Sequence, residues 1–403
     1  MKTIALIDYA TGGHRDAFMC LFAKACLDIN VKVVCIYPKS TNIKEWINQH
    51  APENSSNIIY VDYPLIFRQI NGFGKFNHAA SVLKFLKQNA DFLKKVEQKL
   101  SLNFDLVYFN WVDVFMSNYL SSFLIDKIFP YKWSGLYFHP TVFRVNEKFL
   151  EKAINLRDID NVFTAKNCVA VTLHDEGILE RYQRRIKKPT ILFPEIADTT
   201  APNENFPLAK TIREKANGRT VVGSIGLEYH KGSMAMIQLC KQANPEKFFF
   251  AFTGNFDEHQ LSFYLEKERE EVLDFIKHLP ENAVWKTGLL KEGEEYNSIF
   301  CSFDIIYIVY KNFYSSSNRL TKAANFQKLV LATNKGCVGD DVPKYNLGEV
   351  TNEDNIEEQL EKIERLRDKI LQKDFPYEQW KIYSKKHSTD SLKEKFQELL
   401  NLV

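Results

Sequence analysis

Strand-length apolar runs alternate with helix-length amphipathic patterns along most of this chain, and that alternation restricts its fold more than any single motif. Thr3–Tyr9 is such a run, bounded by Gly12 and Gly13. Residues 14–29 then carry Phe18, Leu21, Phe22, Ala25 and Ile29 at helical spacing, and Val31–Tyr37 is again rich in β-branched residues. Strand, helix and strand in this order predict parallel strands joined by a right-handed crossover. Further strands are expected at Ile58–Tyr63, Leu106–Trp111, Gly135–Phe138, Cys168–Leu173 and Thr190–Phe193, with helices around 78–100 and 176–185.

The pattern breaks once. Glu195–Asn205 (EIADTTAPNEN) is polar, holds Pro202 and has no periodicity, so it reads as a linker. The alternation then restarts, with strands expected at Thr220–Ile225, Lys247–Thr253, Val284–Thr287, Asp304–Tyr310 and Leu329–Thr333. Helices fit 233–243, 258–277, 292–301 and 318–326, and the tail from about 354 is helical and charged. The fold class is therefore α/β, with two doubly wound, Rossmann-like domains. The first is expected over 1–195, completed by C-terminal helices of about 376–403, and the second over 206–375. Ligands of such sheets bind beyond the carboxyl ends of the strands, so an interdomain cleft is expected if the domains face one another.

Charge and cysteine usage exclude several classes. Lys and Arg number 53 against 51 Asp and Glu, a net charge of +2, whereas nucleic-acid binders show a clear basic excess. MKTIALIDYA has too short an apolar stretch for a signal peptide, and no window has the run of about 18 apolar residues that a membrane-spanning helix needs. The seven cysteines form no C-x-x-C pair and sit mostly in apolar runs, which fits reduced, buried thiols in a cytoplasmic protein. The histidines show no metal-ligand spacing, and neither a metal nor a cofactor is expected.

Four strand-end segments carry the candidate chemistry. Gly12-Gly13-His14-Arg15 lies between the first strand and its helix, where glycines admit a ligand close to free N–H groups; a tight turn with no ligand explains it equally. His139, in Tyr137-Phe138-His139-Pro140, ends another strand and has a sugar hydroxyl or a backbone group within its repertoire. Gly223-Ser-Ile-Gly226-Leu-Glu-Tyr-His-Lys231-Gly232 follows the first strand of the second half, where Lys231 is placed to reach a diphosphate as a point charge. Tyr314-Ser315-Ser316-Ser317-Asn318-Arg319 presents Ser and Asn hydroxyls and amides at a helix start, with Arg319 and Lys322 adding positive charge. Taken singly, the last two are ordinary turn and capping sequences. Asp158-Ile-Asp160 reads as a pair of solvated helix-end charges, and Lys84–Lys99 and Arg181–Lys188 as solvated basic helix faces that also suit anionic lipid.

The order of these segments, with FTGN at 252–255, FDIIYIVYKNFYSSSN at 303–318 and LTKAANFQKLVLATNKGCVG at 320–339, resembles glycosyltransferases of the GT-B fold, most closely the retaining family four. The resemblance is specific over roughly 220–340 and looser over 1–195. It implies that Lys231 binds the diphosphate of a nucleotide-sugar donor and that Gly13, His14, Gly226, Gly254, Leu289, Ser316, Ser317, Asn318, Arg319 and Lys322 surround that donor. His139 matches a histidine near the transferred sugar and is grouped with Lys231 as catalytic, in a positioning role. Trp380 and its neighbours would cross back onto the first domain. The chain departs from the family where a basic residue five positions before the lysine is replaced by Gly226, and where Ser315 and Lys322 stand in place of two glutamates.

The resemblance implies transfer of a hexosyl group from a nucleotide diphosphate donor to an acceptor hydroxyl, retaining and metal-independent, within surface polysaccharide or glycolipid synthesis. The acceptor would be a glycan, a lipid-linked sugar or a small molecule, with peripheral contact at the cytoplasmic face of a membrane. Two other readings stay open: a GT-B nucleotide-sugar epimerase, and a GT-B binding or scaffold subunit without catalysis.

Overall fold

The computed structural model describes residues 1–12, 14–64 and 75–403, apart from the side chains of His14, residues 75–77 and Glu258. It divides into two compact units, Met1–Pro194 with Ser388–Val403, and Glu195–His387.

In the first unit the sheet is parallel. Its strands are β1 (Thr3–Ile7), β2 (Lys32–Tyr37), β3 (Ile58–Asp62), β4 (Leu106–Phe109) and β5 (Trp133–Gly135), in the order β3-β2-β1-β4-β5. A parallel pair, β6 (Val171–Leu173) and β7 (Thr190–Leu192), continues it through the bridges Trp133 to Cys168 and Leu136 to Thr172. β1 is buried at every position, as expected of a strand covered on both faces. The order reverses between β1 and β4, which makes their carboxyl ends the topological switch point.

The second unit repeats this plan. Strands β8 (Thr220–Ile225), β9 (Phe248–Gly254), β10 (Ala283–Thr287), β11 (Ile305–Ile308), β12 (Leu329–Thr333) and β13 (Gly348–Thr351) are parallel and ordered β10-β9-β8-β11-β12-β13. The switch point lies between β8 and β11. Phe248 to Phe252 are fully or almost fully buried in the centre of this core.

Only the last helix, Thr389–Leu400, completes the first unit. Its Phe396 packs on Phe22, Tyr108 and Phe193 with ring centroids 5.4, 5.3 and 5.0 Å away. The helix before it, Tyr377–Lys386, belongs to the second unit, contrary to the sequence expectation. Trp380 and Tyr383, one turn apart, are buried in the second core, and Tyr383 meets Tyr345 edge-to-face and donates to Asp341 Oδ2 at 3.2 Å. The expected linker is likewise tied down. Glu195 is buried, its backbone N–H donates to His387 Nδ1 at 3.0 Å, and Asn297 Nδ2 donates to Asp198 Oδ1 at 2.9 Å and to the Thr200 carbonyl at 2.7 Å.

Asp160 also differs from the sequence expectation. It is fully buried, not solvated, and Arg185 from the basic stretch joins it, Nε to Oδ2 at 2.7 Å and Nη2 to Oδ1 at 3.0 Å. Arg185 Nη1 donates to the Phe149 and Lys152 carbonyls at 2.8 and 2.6 Å. A helix face carrying a fully satisfied buried guanidinium is a packing face, so Arg185 is not available to lipid.

Candidate functional site

The second unit gathers most of the candidate residues at the carboxyl ends of β8, β9 and β11. Gly226 follows β8 with φ 92°, and Gly254 ends β9 with φ 110°, both in the left-handed region. They press together: a Cβ on Gly254 would lie 2.5 Å from the Gly226 nitrogen, which donates to the Thr253 carbonyl at 2.7 Å. A Cβ on Gly226 would meet side-chain tips instead, Glu228 Oε2 at 2.7 Å and Arg319 Nη2 at 2.8 Å. Gly232 lies against backbone, where a Cβ would be 2.0 Å from the Val309 oxygen.

Two cations share one aromatic ring here. Lys231 Nζ lies 4.8 Å and the Arg319 guanidinium carbon 5.6 Å from the centroid of Tyr310, just past the end of β11. Tyr310 is buried, and its hydroxyl is 3.4 Å from Ser317 Oγ. Burial raises the pKa of this phenol, but Arg319 and Lys231 outweigh it and leave the pKa below its ordinary value. Lys231 is itself lowered, by burial first and then by Arg319, with Tyr310 and Glu228 opposing. Burial also lowers Arg319, yet Tyr310, Tyr296 and Glu228 hold it above the usual guanidinium range. Arg319 Nη1 and Glu228 Oε2 are hidden from solvent and have no hydrogen-bond partner.

The Ser-rich loop is positioned from below. Ser316 Oγ donates to Glu195 Oε2 at 2.5 Å, and Thr321 Oγ1 donates to the Glu195 carbonyl at 2.8 Å. Ser317 stands at the N-cap of the helix Asn318–Asn325 but makes no side-chain cap bond. No cap side chain therefore takes up the first N–H groups of that helix, although the Leu320 nitrogen donates to the Ser317 carbonyl at 3.0 Å.

Lys322, one turn beyond Arg319, is drawn into the core. Its Nζ donates to Asn297 Oδ1, lies 3.5 Å from Glu292 and sits 4.5 Å from the Tyr296 centroid. Burial lowers its affinity for a proton, with Glu292 and Asp198 opposing. Leu289 is 86% exposed in the loop after β10, which the Gly288 nitrogen joins to the Gly254 carbonyl at 3.1 Å.

The first unit presents a second cluster at its own switch point. His139, with 46% of its side chain exposed, is anchored by Asp113: the Phe138 and His139 nitrogens donate to Oδ2 and Oδ1 at 2.9 and 2.8 Å, and Nδ1 stands 3.5 Å from Oδ1. Trp111 lies against Phe138 and His139, with centroids 4.2 and 5.4 Å away. Arg15, which follows the Gly-Gly pair, stacks on Tyr9 and Trp111 at 4.6 and 4.4 Å and pairs with Asp8. Asp8 is 1% exposed, and burial pushes its carboxyl up to about 6 against the pull of Arg15. Gly13 lies outside the described residues, as does the side chain of His14; the backbone of His14 begins the helix His14–Asp28.

Sequence reasoning missed Glu228, Tyr310, Asp8, Trp111 and Asp113 as site residues. Their signal was present: an acidic or aromatic residue within a few positions of the carboxyl end of a predicted strand.

Solved glycosyltransferases share this architecture over their whole length. HepE from Anabaena, in a structure with UDP and glucose, matches with a TM-score of 0.63 and 15% identity, covering 100% of both chains. A glycosyltransferase from Rickettsia africae matches with a TM-score of 0.65 and 13% identity over 99% of this chain and 97% of its own. Sucrose-phosphate synthase from Thermosynechococcus elongatus matches at 0.64 and 14% over 100% and 98%. The fold is accordingly that of the GT-B glycosyltransferases, with two Rossmann-like domains. No protein-family model and no curated protein sequence matches the chain.

Proposed function

We propose that this chain is a glycosyltransferase that takes its sugar from a nucleotide diphosphate donor and holds the diphosphate at the carboxyl ends of β8 and β11. One observation carries the reading: Lys231, from the segment after β8, and Arg319, from the first turn of the helix after β11, converge on Tyr310, and Arg319 keeps one buried donor unpartnered. Arg319 disfavours the charged form of Lys231 more than Glu228 favours it, and a bound anion relieves that repulsion. Arg319 Nη2 occupies the space where a side chain at 226 would lie. It thus takes the place of the basic residue that the resemblance leads one to seek there.

As the glycosidic bond breaks, negative charge grows on the leaving diphosphate and positive charge on the anomeric carbon. Lys231, Arg319 and the amides around Ser316–Asn318 are fixed before the reaction, so they stabilise the leaving charge without reorganising. Transfer in this scheme is metal-independent, and the resemblance favours retention. Leu289, exposed beside the end of β9, offers an apolar face to the base. His139, steadied by Asp113, is a hydrogen-bonding group for a sugar hydroxyl. HepE has been solved with UDP and with UDP-glucose, which makes these the first ligands to try. An acceptor in polysaccharide or glycolipid synthesis, at the cytoplasmic face of a membrane, is part of the same proposal.

The test is a calorimetric and thermal-shift screen of nucleoside diphosphates and their sugars, followed by turnover of the best donor with and without EDTA. Binding at micromolar concentrations, lost in Lys231→Met, supports the reading. Wild-type protein that binds none of them overturns it and favours a scaffold role. Isomerisation of the donor with no acceptor present favours the epimerase.

A further inference from the structure

Glu228 is a charged residue for which the scheme above has no use. It stands two positions after Gly226 in the loop that carries Lys231. Its Oε2 leans over Gly226, reaching within 2.7 Å of the point a Cβ would occupy, is hidden from solvent, and accepts no hydrogen bond. Arg319 Nη2 reaches within 2.8 Å of the same point, and Arg319 Nη1 donates no hydrogen bond. A carboxylate and a guanidinium thus converge on one bare glycine while each keeps an unused polar atom.

Leaving a buried carboxylate oxygen unpartnered is costly, about 1–3 kcal/mol and more when charged. A loop that folded for its own stability would turn Glu228 outward to water. The arrangement makes sense when a ligand supplies a donor to Glu228 and an anionic oxygen to Arg319 at once. A nucleoside diphosphate offers acceptors at its phosphates and donors at its ribose. A diphosphate carrying a sugar adds ring hydroxyls within a few bonds of the terminal phosphate, and the dependence of UDP binding on Glu228 separates the two sources.

We propose that Glu228 recognises a hydroxyl of the transferred sugar, while Arg319, across Gly226, holds the phosphate to which that sugar is attached. This rests on the glycosyltransferase reading of the same site and deepens it. Glu228 supplies, from the β8 loop, the acidic contact that the loop after β11 lacks, since Ser315 and Lys322 stand there in place of glutamates. The role is one of substrate selection: Glu228 accepts a hydrogen bond from the sugar and passes no proton.

Glu228→Ala and Glu228→Gln in the full chain separate this role from diphosphate binding. UDP affinity by calorimetry should stay within about threefold of wild type in both, because the diphosphate is held by Lys231 and Arg319. The kcat/KM for the donor that wild type uses best should fall roughly 10- to 100-fold in the alanine variant, the loss of one hydrogen bond to a charged group. Glutamine, which keeps an acceptor oxygen, should recover part of it. Donor analogues lacking one ring hydroxyl at a time supply the decisive readout. One of them should be poor for wild type and no poorer than its parent for Glu228→Ala. The proposal is overturned if UDP binding collapses together with turnover, or if every deoxy analogue loses as much in the variant as in wild type. Wild-type protein that binds neither UDP nor any nucleotide sugar overturns the glycosyltransferase reading itself, which the variants alone cannot do.

Discussion

Gly226 and Gly254 touch each other, both have positive φ, and both sit at the proposed donor site, yet alanine at the two positions should do different things. In Gly254→Ala the new methyl lies 2.5 Å from the Gly226 nitrogen and 3.0 Å from its Cα, so backbone must move. Left-handed backbone strain costs about 1–3 kcal/mol and overpacking about as much again. The expected loss is therefore ~3–5 kcal/mol in the second unit. In Gly226→Ala the methyl meets only the tips of Glu228 and Arg319, which can rotate away. The stability loss reduces to the backbone term, ~1–2 kcal/mol. Displacing Arg319, however, removes a charged hydrogen bond to the diphosphate, roughly a 10- to 100-fold loss of UDP affinity. Urea or thermal unfolding of the full chain reads the first quantity and calorimetry with UDP the second. Each unit can melt separately, so transitions should be assigned before free energies are compared. If Gly226→Ala unfolds as readily as Gly254→Ala, or binds UDP like wild type, the geometry assigned to Arg319 is wrong.

Other expectations can be checked with the same assays. Lys231→Met should lower turnover by about 10²–10³ and leave stability unchanged or slightly higher, since it removes a cation that burial disfavours. Because burial and Arg319 lower the proton affinity of Lys231, UDP affinity should begin to fall with rising pH before the ordinary lysine range, and Lys231→Met should flatten that profile. Arg185→Ala strands Asp160 in the first core and should cost about 3–5 kcal/mol, measured by denaturant unfolding. Asp8 has a folded value raised to about 6, so it binds its proton more tightly when folded. Its contribution to stability is full below about 4 and is lost as pH rises through about 6, some 3 kcal/mol at ~1.4 kcal/mol per unit. Asp8→Asn should abolish that slope in unfolding experiments run from pH 4 to 8.

Most strand positions were legible because each is a short apolar run between turn residues, and strands buried on both faces have that signature; β5, at Trp133–Gly135, begins two residues before the expected Gly135–Phe138. β13 escaped: Gly348-Glu-Val-Thr351 is a half-exposed edge strand with too little apolar character to register. The helix Tyr377–Lys386 was expected within the C-terminal tail, but nothing in its sequence names the sheet it covers, so Trp380 was assigned to the wrong unit. Likewise nothing local marks Asp160 as buried, because its partner Arg185 is a helix and a strand away. The candidate loops were visible as glycine and serine at strand ends. The convergence of Glu228 and Arg319 on Gly226 was not, since it joins residues on opposite sides of the switch point, 91 and 93 positions from Arg319 in sequence.

The docking of Phe396 among Phe22, Tyr108 and Phe193 bears on how the protein is made. The β1–β7 sheet emerges from the ribosome first but lacks the helix that covers one side of it. Every residue of Glu195–His387 must be synthesised before Thr389–Leu400 appears. At 5–20 residues per second that wait lasts roughly 10–40 s. During this interval the second unit has all its parts and can fold, while the first exposes three aromatic rings. The half that is translated first is therefore finished last, and the nascent chain is most exposed to aggregation and to chaperones at the side that Phe396 will close.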